Sequence, residues 1–191
     1  MSAPVRMAYA DPPYLGCCGL YGHFHGDDGR CWDDVETHRA LVERLVSEFP
    51  AGWALSLSVP SLWTILPMCP AGVRVGAWVK PFASFKPNVP RAWTWEPVIF
   101  SGGRERGRDE PTVRDHVSEP ITLKRGLTGA KPRRFCFWVF DFLGLEPGDE
   151  FVDVFPGTGG VSAAWRDYCD VRAGRMTQGG LFAPAGSGDA A

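Results

Sequence analysis

The residues best suited to chemistry in this sequence are Asp11, Pro12, Pro13 and Tyr14, which follow an apolar stretch over residues 5–9. Proline has no amide hydrogen and a fixed φ, so a strand has to end at the proline pair. Asp11 is held in extended geometry because a proline follows it. The sequence therefore predicts a rigid tip at the carboxyl end of a strand, where open α/β sheets bind ligands.

This tip would carry a carboxylate, a carbonyl oxygen and an aromatic ring, which together suit chemistry at the exocyclic amine of a nucleobase. Such an amine is a poor nucleophile because its lone pair is delocalised into the ring. Asp11 and the Pro12 carbonyl could accept its two N–H groups and direct the lone pair at an electrophile. Tyr14 could stack on the base once it has left the duplex. The same residues also fit an ordinary strand-ending turn.

A glycine-rich turn near the other end of the chain favours the chemical interpretation. Residues 150–160, Glu-Phe-Val-Asp-Val-Phe-Pro-Gly-Thr-Gly-Gly, predict a strand, a turn and the start of a helix over 161–168. The DPPY and DVFPGTGG segments resemble motif IV and motif I of the S-adenosylmethionine-dependent amino-methyltransferases of DNA. Their order along the chain resembles that of the circularly permuted β class, and the resemblance covers residues 5–168.

The resemblance implies S-adenosyl-L-methionine as the cofactor and DNA as the partner. Asp153 would hold the ammonium group of the cofactor, and the helix after the glycine turn would direct its positive end at the cofactor carboxylate. Lys131-Pro132 and an apolar helix over 135–143 resemble motif X, which packs beside the methionine end. The predicted catalytic residues are Asp11, Pro12, Pro13 and Tyr14. The predicted cofactor-binding residues are Ala10, Asp11, Lys131, Pro132, Asp153, Phe155, Pro156, Gly157, Thr158 and Gly159.

Between the two motifs, strand and helix patterns alternate. Residues 35–49 have an apolar face at helical spacing, formed by Leu41, Val42, Leu45, Val46 and Phe49. The further segments predicted are strands over 53–58, 73–80 and 92–100 and a short helix over 61–69. This order predicts a three-layer α/β sandwich with a mostly parallel sheet of about five strands.

The resemblance further implies that this is a Rossmann-like methyltransferase sheet, circularly permuted and truncated after motif I. It places the motif I strand beside the DPPY strand. Residues 1–170 are predicted to form this single domain, and residues 171–191 a flexible tail. Only about 30 residues follow motif I, where the family has two more strands. A homodimer or a partner subunit could therefore complete the cofactor pocket.

Residues 101–131 are polar and predict a short recognition loop. Basic side chains in such a loop suit contacts with phosphate groups. The candidates, including one from the preceding loop, are Lys86, Arg104, Arg106, Arg108, Lys124 and Arg125. Interleaved acids such as Glu105 and Asp109 also fit a solvated linker.

Two further features have open roles. A Trp-x-Lys element, Trp78 and Lys80, and an Arg-x-x-x-x-Glu-Pro-Val-Ile-Phe run together resemble a hairpin of the same superfamily. In this run, Glu96 could position a loop or the cofactor, or be an ordinary surface residue. The loop over 15–32 contains Cys17, Cys18, His23, His25 and Cys31. Their spacing fits no standard zinc framework, so a loop with buried thiols is favoured and no metal ligand is assigned. A zinc-dependent nucleic-acid binder that uses this loop is the third alternative for the function.

Composition sets the remaining expectations. The net charge of −2 over 191 residues excludes a general polycation, so nucleic-acid contacts require a local patch. No apolar run is long enough to span a membrane and the six cysteines are expected to be thiols, so a cytoplasmic protein is expected.

The resulting hypothesis is a DNA adenine-N6 methyltransferase acting on a flipped base. The alternatives are an N4-cytosine or RNA adenine methyltransferase, and a subunit of little or no activity that binds nucleic acid or a partner.

Overall fold

The computed structural model describes residues 3–17, 32–81, 90–121 and 130–176, which form six strands and four α-helices. In chain order the elements are β1 (Arg6–Ala10), α1 (Val35–Glu48), β2 (Gly52–Ser56), α2 (Leu62–Ile65) with a 3-10 turn (Leu66–Met68), β3 (Arg74–Val79), β4 (Trp95–Gly102), β5 (His116–Ser118), α3 (Arg133–Leu143), β6 (Glu150–Asp153) and α4 (Gly160–Arg172). None of the described helices has the length and apolar character needed to cross a bilayer.

The strands form one sheet in the order β5-β3-β4-β2-β1-β6. β1 runs parallel to both β2 and β6, and β3 runs parallel to β5, whereas β4 is antiparallel to its neighbours β2 and β3. Five strands therefore point one way and one points the other. The predicted, mostly parallel sheet is confirmed, and so is the placement of the glycine-turn strand beside the DPPY strand.

Helices cover both faces of the sheet, which gives the predicted three layers. Leu41, Val42 and Leu45 of α1 pack on Ala8 and Ala10. Alternate residues of β1 instead face the side that α3 and α4 cover. β1 is buried on both faces because it lies between these layers, as its apolar sequence requires. Val46 is an exception to the predicted apolar face of α1, since it is 41% exposed.

The strand β5 was not predicted, because it is only three residues long and lies in the polar segment 101–131. It is held by its register with β3, in which Val117 pairs with Trp78. The Trp78 indole N–H also donates to the Glu119 carbonyl at 2.9 Å. Gly76 permits this close packing, since a Cβ there would lie 2.9 Å from the Asp115 carbonyl oxygen. Part of the predicted recognition loop is therefore integrated into the sheet.

The sixth strand and the length of α4 are the other differences from expectation. The sequence predicted about five strands and a helix over 161–168, whereas α4 continues to Arg172. Its last turns are held by the Tyr168 hydroxyl, which donates to Asp141 at 2.9 Å, and by Arg172, which donates to the same carboxylate at 2.7 Å. These contacts to α3 extend the helix into the segment predicted to be a tail.

Candidate active site

The predicted tip forms where β1 ends at Ala10. The last four residues of the strand are buried, and Pro12 just beyond its end is buried as well. Asp11 and Tyr14 are half-buried, so their polar groups face the rim of the sheet. The proline pair thus ends the strand with one carboxylate and one phenol at its carboxyl edge.

The glycine turn lies next to this tip. β1 and β6 are parallel neighbours in a register that pairs Tyr9 with Asp153. The Val154 N–H donates to the Tyr9 carbonyl at 2.9 Å, which carries the pairing to the ends of both strands. Asp11 and the turn after Phe155 therefore leave the sheet side by side at the same edge.

The turn itself is open. Gly157 and Gly159 have φ values of 46° and 79°, in the left-handed region that favours glycine. A Cβ at Gly159 or Gly160 would meet nothing within 4 Å. Pro156 and Thr158 are exposed, and Phe155 packs edge-to-face on Trp32 at 5.1 Å between ring centroids. The side chains of the turn thus leave free space beside its backbone and beside the first residues of α4.

Asp153, at the end of β6 before this turn, has one carboxylate oxygen without a hydrogen-bond partner among the described residues. Its Oδ2 accepts from the Ser162 hydroxyl at 3.0 Å. Its Oδ1 is buried and has no hydrogen-bond partner within the described part of the chain. Burial raises the pKa of Asp153, and the nearby Asp11 carboxylate raises it further, while the bond from Ser162 acts against both. A buried carboxylate oxygen without a donor is a suitable acceptor for a ligand cation or N–H group.

Lys131 binds the Asp11 carboxylate directly. Its Nζ lies 2.8 Å from each of the two carboxylate oxygens and donates to the Tyr14 hydroxyl oxygen at 3.3 Å. The Lys131 side chain is only 5% exposed, whereas that of Asp11 is 21% exposed. Pro132 follows at the cap of α3, so the start of this helix fixes the lysine opposite the tip.

Glu96 connects this pair to β3. The Tyr14 hydroxyl lies 3.0 Å from Glu96 Oε2 and 3.3 Å from Asp11 Oδ1. Glu96 also forms an ion pair with Lys80, and its Oε2 is 3.9 Å from Lys131 Nζ. Two lysines and two carboxylates therefore form a charge-balanced group of four, to which Tyr14 is hydrogen-bonded. Glu96 therefore lies in this site, where it contacts the tip through the Tyr14 hydroxyl.

Burial and the neighbouring carboxylates shift the titration of this group. Burial raises the pKa of Asp11, and the Lys131 ammonium partly offsets this effect. Burial and the carboxylates of Asp11 and Glu96 raise the pKa of Tyr14 well above its usual value, so the phenol stays protonated. The tip therefore presents a neutral hydroxyl and a carboxylate whose charge depends on Lys131.

The space directly behind the tip is too small for a ligand. A cavity of about 10 Å³ lies against Pro12, Tyr14 and the buried Ser56, which is room for at most one water molecule.

The structure describes three of the six predicted basic contacts, Arg104, Arg106 and Arg108. Lys86, Lys124 and Arg125 fall outside the described residues, as do the cysteines and histidines of the loop over 18–31. Arg104 lies at the opposite edge of the sheet, where it binds both Asp149 oxygens at 2.7 and 2.9 Å. Arg106 donates to the Asp141 and Pro111 carbonyls near the same edge, and Arg108 is exposed. The structure thus does not bring Arg104 and Arg106 to the tip.

Trp78 and Lys80, the Trp-x-Lys element identified in the sequence without a role of their own, contact the charged group at the tip. The Lys80 Nζ lies 4.7 Å and the Lys131 Nζ 5.6 Å from the centroid of the Trp78 ring. The sequence shows their spacing at the end of β3 but not their contacts. Their contact with the tip depends on β4, which pairs Trp78 with Glu96.

No protein-family model and no curated protein matches the chain. Among solved structures, the fold is similar to that of M1.HpyAVI in its complex with SAM, with a TM-score of 0.55 at 14% identity over 87% of this chain and 79% of that one. It is also similar to that of M1.HpyAVI without SAM, with a TM-score of 0.52 at 16% identity over 87% and 78%. TTHA0409 from Thermus thermophilus, a provisionally assigned DNA modification methylase, has a TM-score of 0.49 at 16% identity over 93% and 91%. The first two similarities show that the chain shares the mixed α/β fold of M1.HpyAVI.

Proposed function

We propose that this protein is a methyltransferase that moves a methyl group from S-adenosyl-L-methionine to the exocyclic N6 of an adenine flipped out of DNA. The observation that carries the proposal is the parallel pairing of β1 with β6, which puts Asp11 and the glycine turn side by side. A fold shared with M1.HpyAVI, a protein solved in complex with SAM, supports the same conclusion.

The chain offers suitable groups for the methionine end of the cofactor. The unpartnered Asp153 Oδ1 would accept from the ammonium group. The free space beside Gly159 and Gly160 would take the chain of the ligand, with its carboxylate at the positive end of α4. S-adenosylmethionine supplies an electrophilic methyl group on a sulfonium, so the protein needs to provide position and hydrogen bonds.

The amine would be held at the tip of β1. The Asp11 carboxylate and the Pro12 carbonyl accept its two N–H groups, and Tyr14 covers the base. A carboxylate has about four acceptor positions, so Asp11 can accept from the amine while it also binds Lys131. A nitrogen–carbon bond forms as the sulfur–carbon bond breaks, and the amine then releases one proton to solvent. Asp11 would act in its ionised form, which the Lys131 ammonium favours against the burial that raises the pKa of Asp11.

The choice of adenine over cytosine rests on the aspartate in DPPY, through the family resemblance, and N4-cytosine and RNA adenine are the nearest alternatives. A second candidate is a subunit of low activity that binds nucleic acid or a partner. It is favoured by the position of β6, which has no strand on its outer side among the residues described up to 176. A second copy or a partner subunit would then complete the wall of the cofactor pocket.

Calorimetric titration with S-adenosylmethionine, followed by mass analysis of nucleosides from treated DNA, tests the proposal. The expected result is cofactor binding and N6-methyladenine. Asp11→Ala should lower the methylation rate by about 100-fold or more, because it removes an acceptor aimed at the amine. Asp115→Ala is the matched control, since the Asp115 side chain is 84% exposed. Cofactor binding without any methylated nucleoside would favour the low-activity subunit, and folded protein that binds no cofactor would refute the proposal.

A further inference from the structure

The Glu96 carboxylate is largely buried, and its two oxygens have different partners. Its side chain is 19% exposed, and that of its ion-pair partner Lys80 is 14% exposed. Oε1 accepts from Lys80, whereas Oε2 accepts from the Tyr14 hydroxyl at 3.0 Å. Along β4, Glu96 shares its face with Val98 and Phe100, which pack in the core with residues of α3. The carboxylate therefore approaches the tip from the side of the sheet that α3 covers.

Lys80 holds this carboxylate from a fixed position. Its N–H donates to the Thr94 carbonyl at 2.7 Å, which continues the pairing of β3 with β4 beyond the strands. Its Nζ lies 4.7 Å from the centroid of the Trp78 ring, and the Trp78 indole N–H donates to the Glu119 carbonyl at 2.9 Å. Trp78 also pairs with Glu96 across the two strands. Glu96 is therefore anchored to the sheet independently of the tip.

Tyr14, in contrast, follows the proline pair outside any strand or helix. Its hydroxyl lies 3.0 Å from Glu96 Oε2 and 3.3 Å from Asp11 Oδ1. A hydroxyl has one proton to donate, and the shorter contact gives Glu96 the larger share of it. Glu96 thus fixes the hydroxyl end of the Tyr14 ring and leaves the Asp11 oxygens more available to other donors.

We propose that Glu96, anchored by Lys80, is a positioning residue for methyl transfer. It fixes the position of the Tyr14 ring that covers the flipped adenine, and it keeps most of the Tyr14 proton away from Asp11, which then accepts from the amine. Glu96 acts through Tyr14 and does not itself touch the base. This inference rests on the proposed function and deepens it, since it adds a residue of β4 and one that follows β3 to the tip of β1.

The test compares Glu96→Gln with Glu96→Leu. Both variants remove the same negative charge and leave Lys80 without its carboxylate, but only glutamine offers an oxygen to the Tyr14 hydroxyl. Methylation of unmethylated genomic DNA, at saturating DNA and S-adenosylmethionine, should be about fivefold slower in Glu96→Leu than in Glu96→Gln, as expected for the loss of one hydrogen bond. Cofactor affinity, measured by calorimetry, should be the same in both variants, so the difference lies in kcat.

The same comparison in a Tyr14→Phe background separates this role from ordinary support of the fold. Without the hydroxyl, Glu96→Gln and Glu96→Leu should methylate at the same rate. If Glu96 had a purely structural role, the difference between the two variants would persist, because packing around residue 96 does not require the hydroxyl. Urea unfolding of each variant measures its stability. Should the unpaired Lys80 ammonium unfold the single variants, Lys80→Met combined with each of them gives the same comparison without that charge.

Two results would overturn the inference while the proposed function stands. The first is an equal methylation rate of Glu96→Gln and Glu96→Leu, and the second is a difference between them that persists with Tyr14→Phe. Absence of methylation by the unmodified protein with every DNA would instead remove the proposed function, and the inference with it.

Discussion

Replacement of Lys131 by methionine tests the charge balance on which the candidate active site depends. The Lys131 Nζ lies 2.8 Å from both Asp11 oxygens, and its side chain is 5% exposed. Methionine retains most of the apolar volume but leaves Asp11 and Glu96 with Lys80 as their remaining cation, so the group goes from neutral to a net charge of −1. Removal of one partner from a buried ion pair costs about 3–5 kcal/mol. We expect the free energy of unfolding at pH 8 to fall by about 3 kcal/mol, at the lower end of that range, because Tyr14 still bonds Asp11.

The pH dependence of this loss follows from the pKa of Asp11. Burial already raises this pKa and Lys131 lowers it, so the variant should have a higher pKa still. An acid whose pKa is higher in the folded than in the unfolded chain binds a proton on folding, which stabilises the protein as the pH falls. The loss of unfolding free energy caused by Lys131→Met should therefore be complete at pH values above the raised pKa of Asp11. It should become smaller at pH values below that pKa.

Urea unfolding monitored by tryptophan fluorescence at several values between pH 8 and pH 5 measures this effect. The matched variants are Asp11→Asn and the double variant Lys131→Met/Asp11→Asn. The double variant should lose less stability than the two single losses combined, because it leaves no unpaired charge at this position. A cost below about 1 kcal/mol at pH 8, or one that does not change with pH, would refute the account of the site.

Two further predictions concern the opposite edge of the sheet and the tip. Arg104→Met should lower the free energy of unfolding by about 3–5 kcal/mol, because the Asp149 side chain that Arg104 binds is 1% exposed. The affinity for DNA, measured by anisotropy, should be unchanged. A selective loss of DNA affinity would instead support the predicted phosphate contact. Tyr14→Phe removes the hydroxyl at Glu96 but keeps the ring, so the methylation rate should fall less than in Asp11→Ala, and an equal fall would show that the hydroxyl is as important as the carboxylate.

The local features of this protein could be predicted from its sequence because they depend on the backbone chemistry of single residues. The proline pair ends β1 at Ala10, and the two glycines with positive φ form the open turn after β6. The apolar period of residues 35–49 predicted α1 almost to the residue. The pairing of β1 with β6 was also predicted, although through the family resemblance and not through any local signal.

Contacts between distant segments could not be predicted in the same way. The sequence grouped five basic residues of the segment 101–131 as phosphate contacts, namely Arg104, Arg106, Arg108, Lys124 and Arg125. The hydrogen bonds of Arg104 nevertheless hold it at the edge opposite to the tip. β5 was not predicted because a polar strand of three residues is too short to show an alternation of apolar and polar residues. It forms through its pairing with β3.

The sequence by itself determined which groups stand at the end of β1 and which turn follows β6, since proline and glycine restrict the chain wherever they occur. Only the tertiary structure decided that Lys131, Glu96 and Lys80 surround Asp11. These side chains come from three separate segments, and their effect on the charge of Asp11 depends on distances and burial that exist only after the strands and α3 have packed together.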